Sequence, residues 1–299
     1  MTAEQILVTG AAGFTGQYLI AAAKAMGYRC IALCRHPGEA VADADENIPC
    51  DLLDAPALRD VIRSTNPKKV VHLAAISFVP HGDVAEIYNV NLVGTINLLN
   101  AIAREAPDTV KVLLASSANI YGNPSELPIG ECAAINPVNH YGISKYAMEM
   151  AAGLYRDLPL VITRPFNYSG VGQPAHFLLP KLVAAYRDGR RSVALGNIDI
   201  ARDFSDVRDV VNACLGLVGK SSSKGVYNIC SGRPTGLLEI IDLLNELAGY
   251  EISIDVDPEF VRSEEISVLY GDATRIESAL GDYRQYTLRD TLSWMLGGQ

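Results

Sequence analysis

Residues 5–16 read QILVTGAAGFTG. A short apolar run, Gln5–Thr9, enters a turn with glycine at positions 10, 13 and 16. A helical pattern follows to Met26 and stops at Gly27, a natural C-cap. Arg29–Cys34 (RCIALC) then reads as a second strand. Strand, glycine turn, helix, strand is one βαβ unit. Glycines in such a turn let backbone N–H groups approach a pyrophosphate at the helix N-terminus. The spacing is G-x-x-G-x-x-G, not the more familiar G-x-G-x-x-G, so three ordinary turn glycines stay open as the competing reading.

The second strand ends Leu33-Cys34-Arg35-His36. No carboxylate stands where one would bind an adenosine ribose 2′-hydroxyl. Arg35 could instead meet a 2′-phosphate, which tilts the cofactor from NAD(H) toward NADP(H); a solvated surface charge is the alternative. Asp51-Leu52-Leu53-Asp54 follows a short third strand and puts Asp51 in reach of an adenine. Ala55–Thr65 reads as a helix and Lys69–Leu73 as a strand ending in HLAA (72–75), whose small residues suit close approach to a dinucleotide. His72 reads as structural, because the run around it is apolar. Residues 83–106 read as one long amphipathic helix carrying Asn89 and Asn91. Val110–Ala115 is a buried strand that delivers Ser116 and Ser117 to its carboxyl end, where open α/β sheets bind ligands. Plain turn chemistry explains two serines equally well.

Residues 138–150, VNHYGISKYAMEM, supply the chemistry. Tyr141 and Lys145 lie four apart in a helical stretch and emerge on one face. An ammonium roughly 4–5 Å from a phenol, at an effective dielectric near 20, contributes about 3–4 kcal/mol. That would draw the phenol from about 10 toward roughly 7–8. Tyr141 then reads as the acid or base of a nicotinamide-dependent enzyme, tuned by Lys145. The pattern arises by chance about 0.4 times in a chain of this composition, so its weight comes from its surroundings.

Leu160–Thr163 is a further strand, and beyond it the strict alternation ends. Residues 176–189, 207–218, 237–248 and 287–296 read as helices, and 225–230 and 251–256 as strands. The expected fold is α/β: a Rossmann-type, doubly wound parallel sheet with a smaller irregular C-terminal lobe. Residues 1–165 form the dinucleotide-binding domain, to which segments near 205–232 return, and 166–299 mainly the substrate lobe.

A net charge of −9 without a basic run argues against nucleic acid and anionic membrane as partners. No apolar run approaches the ~20 residues of a membrane span, and the first residues carry no signal-peptide pattern. Six scattered cysteines without C-x-x-C suit a reduced cytoplasmic protein with neither disulfides nor a metal.

GAAGFTG, DLLD, HLAA, SSANIYG, YGISK, RPFN, RDFSDVRD and VRSEE, in that order, cover nearly the whole chain. Together they resemble the extended short-chain dehydrogenase/reductase family that acts on nucleotide sugars. SFVP (77–80), RPFN, ARDFSDVRDV and VYNICSG are similar to the branch that reduces GDP-linked 4-keto-6-deoxyhexoses. The resemblance implies that Ser117 hydrogen-bonds the reacting sugar oxygen, that Tyr141 protonates it, and that Lys145 holds the nicotinamide ribose and lowers the Tyr141 pKa. It implies cofactor contacts from Gly10, Gly13, Phe14, Thr15, Gly16, Arg35, Asp51, Leu52, Leu73, Ala74, Ala75 and Asn91. It places Ser77, Asn119, Asn167, Arg202 and Arg262 on the sugar nucleotide, with both arginines on its diphosphate, whose oxygens the guanidinium fork fits. The implied protein is a homodimeric, NADPH-dependent 4-ketone reductase that also tolerates NADH. An NAD-dependent nucleotide-sugar 4-epimerase and a non-catalytic dinucleotide sensor are the alternatives. Two departures stand out. His140 replaces the proline common before Tyr141, and either lowers the phenol further or touches substrate. Ala118 and Asn119 follow Ser117 where dehydratases of the family carry an acid.

Overall fold

The computed structural model describes residues 3–77, 82–258 and 266–298. Its centre is a seven-stranded parallel sheet built from β1 (Gln5–Thr9), β2 (Arg29–Cys34), β3 (Glu46–Pro49), β4 (Lys69–His72), β5 (Lys111–Ala115), β6 (Leu160–Pro165) and, from much later in the chain, β10 (Gly225–Ile229). The spatial order is β10-β6-β5-β4-β1-β2-β3. The inner strands are near-continuous apolar runs because both faces are covered. Ile6 and Val8 point into one core and Leu7 into the other, as the pleat requires. The first core is covered by α1 (Phe14–Ala25) and α7 (Val207–Gly219). The second is covered by α2 (Ala55–Thr65), α4 (Gly94–Glu105) and α5 (His140–Ala152). Strand order reverses between β1 and β4, and the crevice at that switch point is where ligands of such sheets bind. The fold is Rossmann-like and doubly wound.

The reading of 83–106 as one continuous helix needs correction. The segment is α3 (Val84–Tyr88), a π-helical turn at Asn89–Val93, then α4. The wider turn is tied at Asn91, whose Oδ1 accepts the Ile76 N–H at 2.8 Å and whose Nδ2 donates to Ile76 O at 3.1 Å and Ser144 Oγ at 2.9 Å. The helix read over 176–189 starts later, as α6 (Leu178–Arg187), because Phe177 holds the extended backbone of an N-cap.

Around β9 (Ala201–Asp206) the lobe gathers β7 (Asn167–Ser169), β11 (Pro234–Gly236) and β13 (Val268–Leu269); β8 (Ser192–Leu195) pairs with β12 (Ser253–Val256). A third core, including Leu182, Phe204, Ile240, Leu244 and Leu292, lies between α6, α8 (Leu237–Ala248) and α10 (Leu288–Gly297). The acids of RDFSDVRD fasten this lobe. Asp203 accepts the N–H groups of Ser231 (2.6 Å) and Gly232 (3.0 Å). Asp206 caps α7 and accepts from Thr291 Oγ1 at 2.8 Å. Asp209 accepts the N–H groups of Gln285 (2.9 Å) and Tyr286 (3.2 Å). All six cysteines are free thiols. No helix among the described residues is long and apolar enough to cross a membrane.

Candidate active site

Two adjoining cavities, of about 490 Å³ and about 580 Å³, run along the carboxyl edge of the sheet and share Gly10, Gly13, Ala74, Ala75 and Ile76. Gly10 sits at φ +68°, and a Cβ there would lie 2.7 Å from the Ala74 backbone. A Cβ on Gly16 would strike the Gly10 carbonyl and Ala11. These glycines are therefore required by geometry and are more than turn punctuation. Gly13 is the N-cap of α1 and offers no side-chain acceptor, so the first N–H groups of the helix face the cleft as an anion cradle. A dinucleotide pyrophosphate fits this cradle.

The first cavity extends to Cys34, Arg35, Asp51 and Leu52. Arg35 is half exposed and already paired, with Nε 3.7 Å from Asp51 Oδ2 and Nη1 3.4 Å from Glu86 Oε1. The Asp51 carboxylate also accepts the Leu53 N–H at 2.9 Å, which fixes the turn after β3. Leu73, Ala74 and Ala75 continue the cavity wall beside the glycine turn. Asn91, read as a cofactor ligand, is instead fully buried and outside both cavities; its amide is engaged with Ile76 and Ser144. Its effect on the cleft runs through the Ile76 backbone that it holds. His72 is structural: Thr9 Oγ1 (2.7 Å) and Thr95 Oγ1 (2.8 Å) occupy its ring nitrogens, and burial pushes its pKa down to about 3.

The second cavity brings together Ser117, Tyr141 and Lys145, with Phe14, Thr15, Ser77, Asn119 and Asn167 in the same wall. β5 delivers Ser117, which caps a 3₁₀ turn at Ala118–Tyr121 and accepts from the Asn119 backbone N–H at 3.2 Å. Asn119 Nδ2 also lies 3.2 Å from Ser117 Oγ. Asn139 caps α5 by accepting the Gly142 N–H at 2.8 Å, and its Nδ2 reaches Asn119 Oδ1 at 3.4 Å. A Cβ on Gly142 would lie 2.6 Å from the Asn119 carbonyl. The glycine after Tyr141 thus lets α5 close against the serine loop.

The expected tuning of Tyr141 by Lys145 is not what this geometry gives. Burial pushes the phenol above its ordinary range, and the Ser117 hydrogen bond offsets part of that rise. Lys145 Nζ donates to Ala115 O at 2.7 Å, and burial lowers the ammonium to about 8, with Glu149 opposing. The Tyr141 phenol therefore keeps its proton at neutral pH. His140 faces away from the phenol: its Nδ1 lies 3.1 Å from Tyr88 Oη and its ring meets the Tyr88 ring edge-on. It joins α5 to α3 and lies outside the cavity lining.

Sequence reading missed two supports. Arg164 and Glu149 form a buried two-pronged pair (Nε–Oε1 3.0 Å, Nη2–Oε2 2.7 Å), and Arg164 Nη1 donates to Tyr121 Oη at 2.9 Å and Glu131 O at 2.9 Å. This cluster pins α5, one turn beyond Lys145, to β6 and the serine loop. Tyr168 bonds Thr15 Oγ1 at 2.9 Å and stacks on Phe14, bridging α1 to the lobe across the cleft. An arginine in RPFN and a glutamate on an α5 face were visible signals, but not that they meet.

Arg202 is buried on β9 two residues before Phe204, which lines the second cavity, so both leave the strand on one side. Its Nη1 donates to Ala201 O (2.9 Å) and Ser267 O (3.2 Å). Arg262 lies outside the described residues, as do most of SFVP and all of VRSEE. Among the described residues, no Asp or Glu lines the second cavity.

The sequence matches the family model described as GDP-mannose 4,6 dehydratase over residues 7–295. It is 35% identical to GDP-6-deoxy-D-talose 4-dehydrogenase of Aggregatibacter actinomycetemcomitans, covering 97% of this chain and 96% of the relative. It is 33% identical to GDP-6-deoxy-D-mannose reductase of Pseudomonas aeruginosa, covering 98% and 96%. The structure of RMD from Pseudomonas aeruginosa complexed with NADPH superposes with a TM-score of 0.85 at 31% identity, covering 99% of this chain and 97% of that one. UDP-glucose 4-epimerases are among the more distant relatives.

Proposed function

The chain belongs to the GDP-mannose 4,6 dehydratase family of short-chain dehydrogenase/reductases, and from that premise we propose that it reduces a sugar ketone and does not dehydrate. Relatives named GDP-6-deoxy-D-talose 4-dehydrogenase, GDP-6-deoxy-D-mannose reductase and UDP-glucose 4-epimerase support this reading. The proposed reaction is NADPH-dependent reduction of the C4 ketone of a GDP-linked 4-keto-6-deoxyhexose.

One observation carries this reading. The second cavity holds Ser117, Tyr141 and Lys145 but, among the described residues, no carboxylate. Dehydration must take a proton from C5 and give one to the departing C6 hydroxyl. The positions beside Ser117 that would carry that acid–base group are Ala118, which has no proton to move, and Asn119, which does not titrate in this range. Ketone reduction needs one proton donor.

The nicotinamide, when bound, supplies the hydride. Tyr141, held protonated by burial, gives its proton to the oxygen developing at C4. Ser117 donates a hydrogen bond to the same oxygen, so two groups stabilise the charge as it forms. The Lys145 ammonium, held by Ala115 O, would hold the nicotinamide ribose. Arg202 and Arg262 would meet the diphosphate, which reconciles an acidic protein with an anionic substrate. A homodimer would cover the apolar side chains that α5 exposes at Ile143 and Met150.

The test is to supply GDP-mannose with NADP and no helper enzyme, and separately GDP-mannose pre-treated with a 4,6-dehydratase plus NADPH. The reading expects a reduced 6-deoxyhexose from the second mixture and no 4-keto product from the first. Dehydration at a rate comparable to ketone reduction would overturn it.

A further inference from the structure

The adenosine end of the cleft carries more acid than base. Arg35 faces Asp51 at 3.7 Å and Glu86 at 3.4 Å. Glu39 lines the same cavity, and its Oε2 accepts the His36 N–H at 3.2 Å. One guanidinium thus faces two carboxylates, with a third in the same cavity wall. Arg35 and Asp51 belong to the carboxyl edge of the sheet, whereas Glu86 arrives from the first turn of α3. A 2′-phosphate carries a charge near −1.5 to −2. To take the Nη1 edge of Arg35 it must displace Glu86, and it then stands beside the remaining acids. A 2′-hydroxyl meets no such opposition.

We propose that Glu86 is a specificity-determining residue: it competes with the cofactor 2′-phosphate for Arg35 and holds the preference for NADPH over NADH below what Arg35 alone would give. This rests on Arg35 being the 2′-phosphate ligand. Asp51 has a different standing, because it lines the cavity and can accept from the adenosine of either cofactor. Glu86 lines neither cavity and acts through Arg35.

The experiment titrates NADPH and NADH, by nicotinamide fluorescence, into the full-length protein and its Glu86→Gln, Arg35→Ala and doubly substituted variants. Glu86→Gln is expected to tighten NADPH about three- to fivefold, as suits a part-exposed charge pair, with NADH changed less than about twofold. The gain should shrink near 0.5 M salt, where the Debye length falls below roughly 5 Å. In the Arg35→Ala background the gain should vanish. A selective loss of NADPH in Arg35→Ala, with an unchanged cofactor ratio in Glu86→Gln, would overturn the competition and leave the Arg35 reading standing. So would an undiminished Glu86→Gln gain in the absence of Arg35, since Glu86 would then act by simple repulsion. Equal losses of both cofactors in Arg35→Ala would remove the Arg35 reading itself, and the competition with it.

Discussion

The two ends of the cleft use similar charges in different surroundings. Tyr141 and Lys145, in the cavity that also holds Ser117, are 8% and 2% exposed. In the adjoining cavity, proposed to take the adenosine, the Arg35 side chain is 51% exposed and shares its charge with two acids. Interaction between charges scales inversely with the effective dielectric, so a group at the dry end controls a barrier while one at the wet end adjusts an affinity. Burial also has a cost that shows at Tyr141, whose phenol rises when an exposed tyrosine near an ammonium would fall.

The largest effect should come from the dry end. Tyr141→Phe keeps the ring and removes the proton donor, so kcat should fall by about 10²–10⁴ with the Kd for NADPH nearly unchanged. Steady-state kinetics with a fluorescence titration checks both, and an active phenylalanine variant would break the contrast.

Next in size is the support beneath α5. Glu149→Gln leaves the Arg164 guanidinium, 5% exposed on its side chain, without its carboxylate. Unpairing a buried ion pair costs about 3–5 kcal/mol, which urea denaturation would register. A change under about 1 kcal/mol, the range of surface pairs, would show that this cluster behaves like the wet end.

Lys145 gives a pH signature. Its folded pKa is lowered to about 8 by burial, so the ammonium is present below that pH and lost as pH rises through it. The rate of reduction should be level below about 8 and fall above it. Lys145→Met should lower kcat, weaken cofactor binding and abolish that limb. A limb that persists in the methionine variant belongs to another group.

The smallest effect lies at the rim. Arg35→Ala should weaken NADPH about tenfold, the lower part of the range for a charge-assisted contact, because the side chain is exposed and already paired. NADH should change little.

The sheet was legible because its inner strands are apolar on both faces and its first turn carries glycine at three positions, two of which, Gly10 and Gly16, the geometry requires. The meeting of Ser117, Tyr141 and Lys145 in one cavity was legible because Tyr141 and Lys145 share a helix face and the family resemblance singled out Ser117 just beyond a strand. What escaped was long-range pairing. Nothing in the local pattern around Asn91 announces that its amide clips Ile76 and opens a π turn. The Arg164–Glu149 contact joins two elements whose spacing alone does not bring them together. Of RDFSDVRD only Arg202 was given a role from sequence, and nothing local shows that Asp203, Asp206 and Asp209 bind backbone and side-chain groups of the lobe. His140 looked like a neighbour of the phenol, but the first residue of α5 points toward Tyr88 and Tyr141 points into the cleft.

The most direct measurement follows deuterium from the 4-pro-S or 4-pro-R position of labelled NADPH into the sugar. The 4-keto-6-deoxyhexose is supplied on GDP and the product is read by mass and NMR. A reductase leaves one deuterium at C4 and consumes one NADPH per product, from one of the two labelled cofactors. Sugar turnover with no net NADPH consumption and no label at C4 would contradict the account and favour an epimerase.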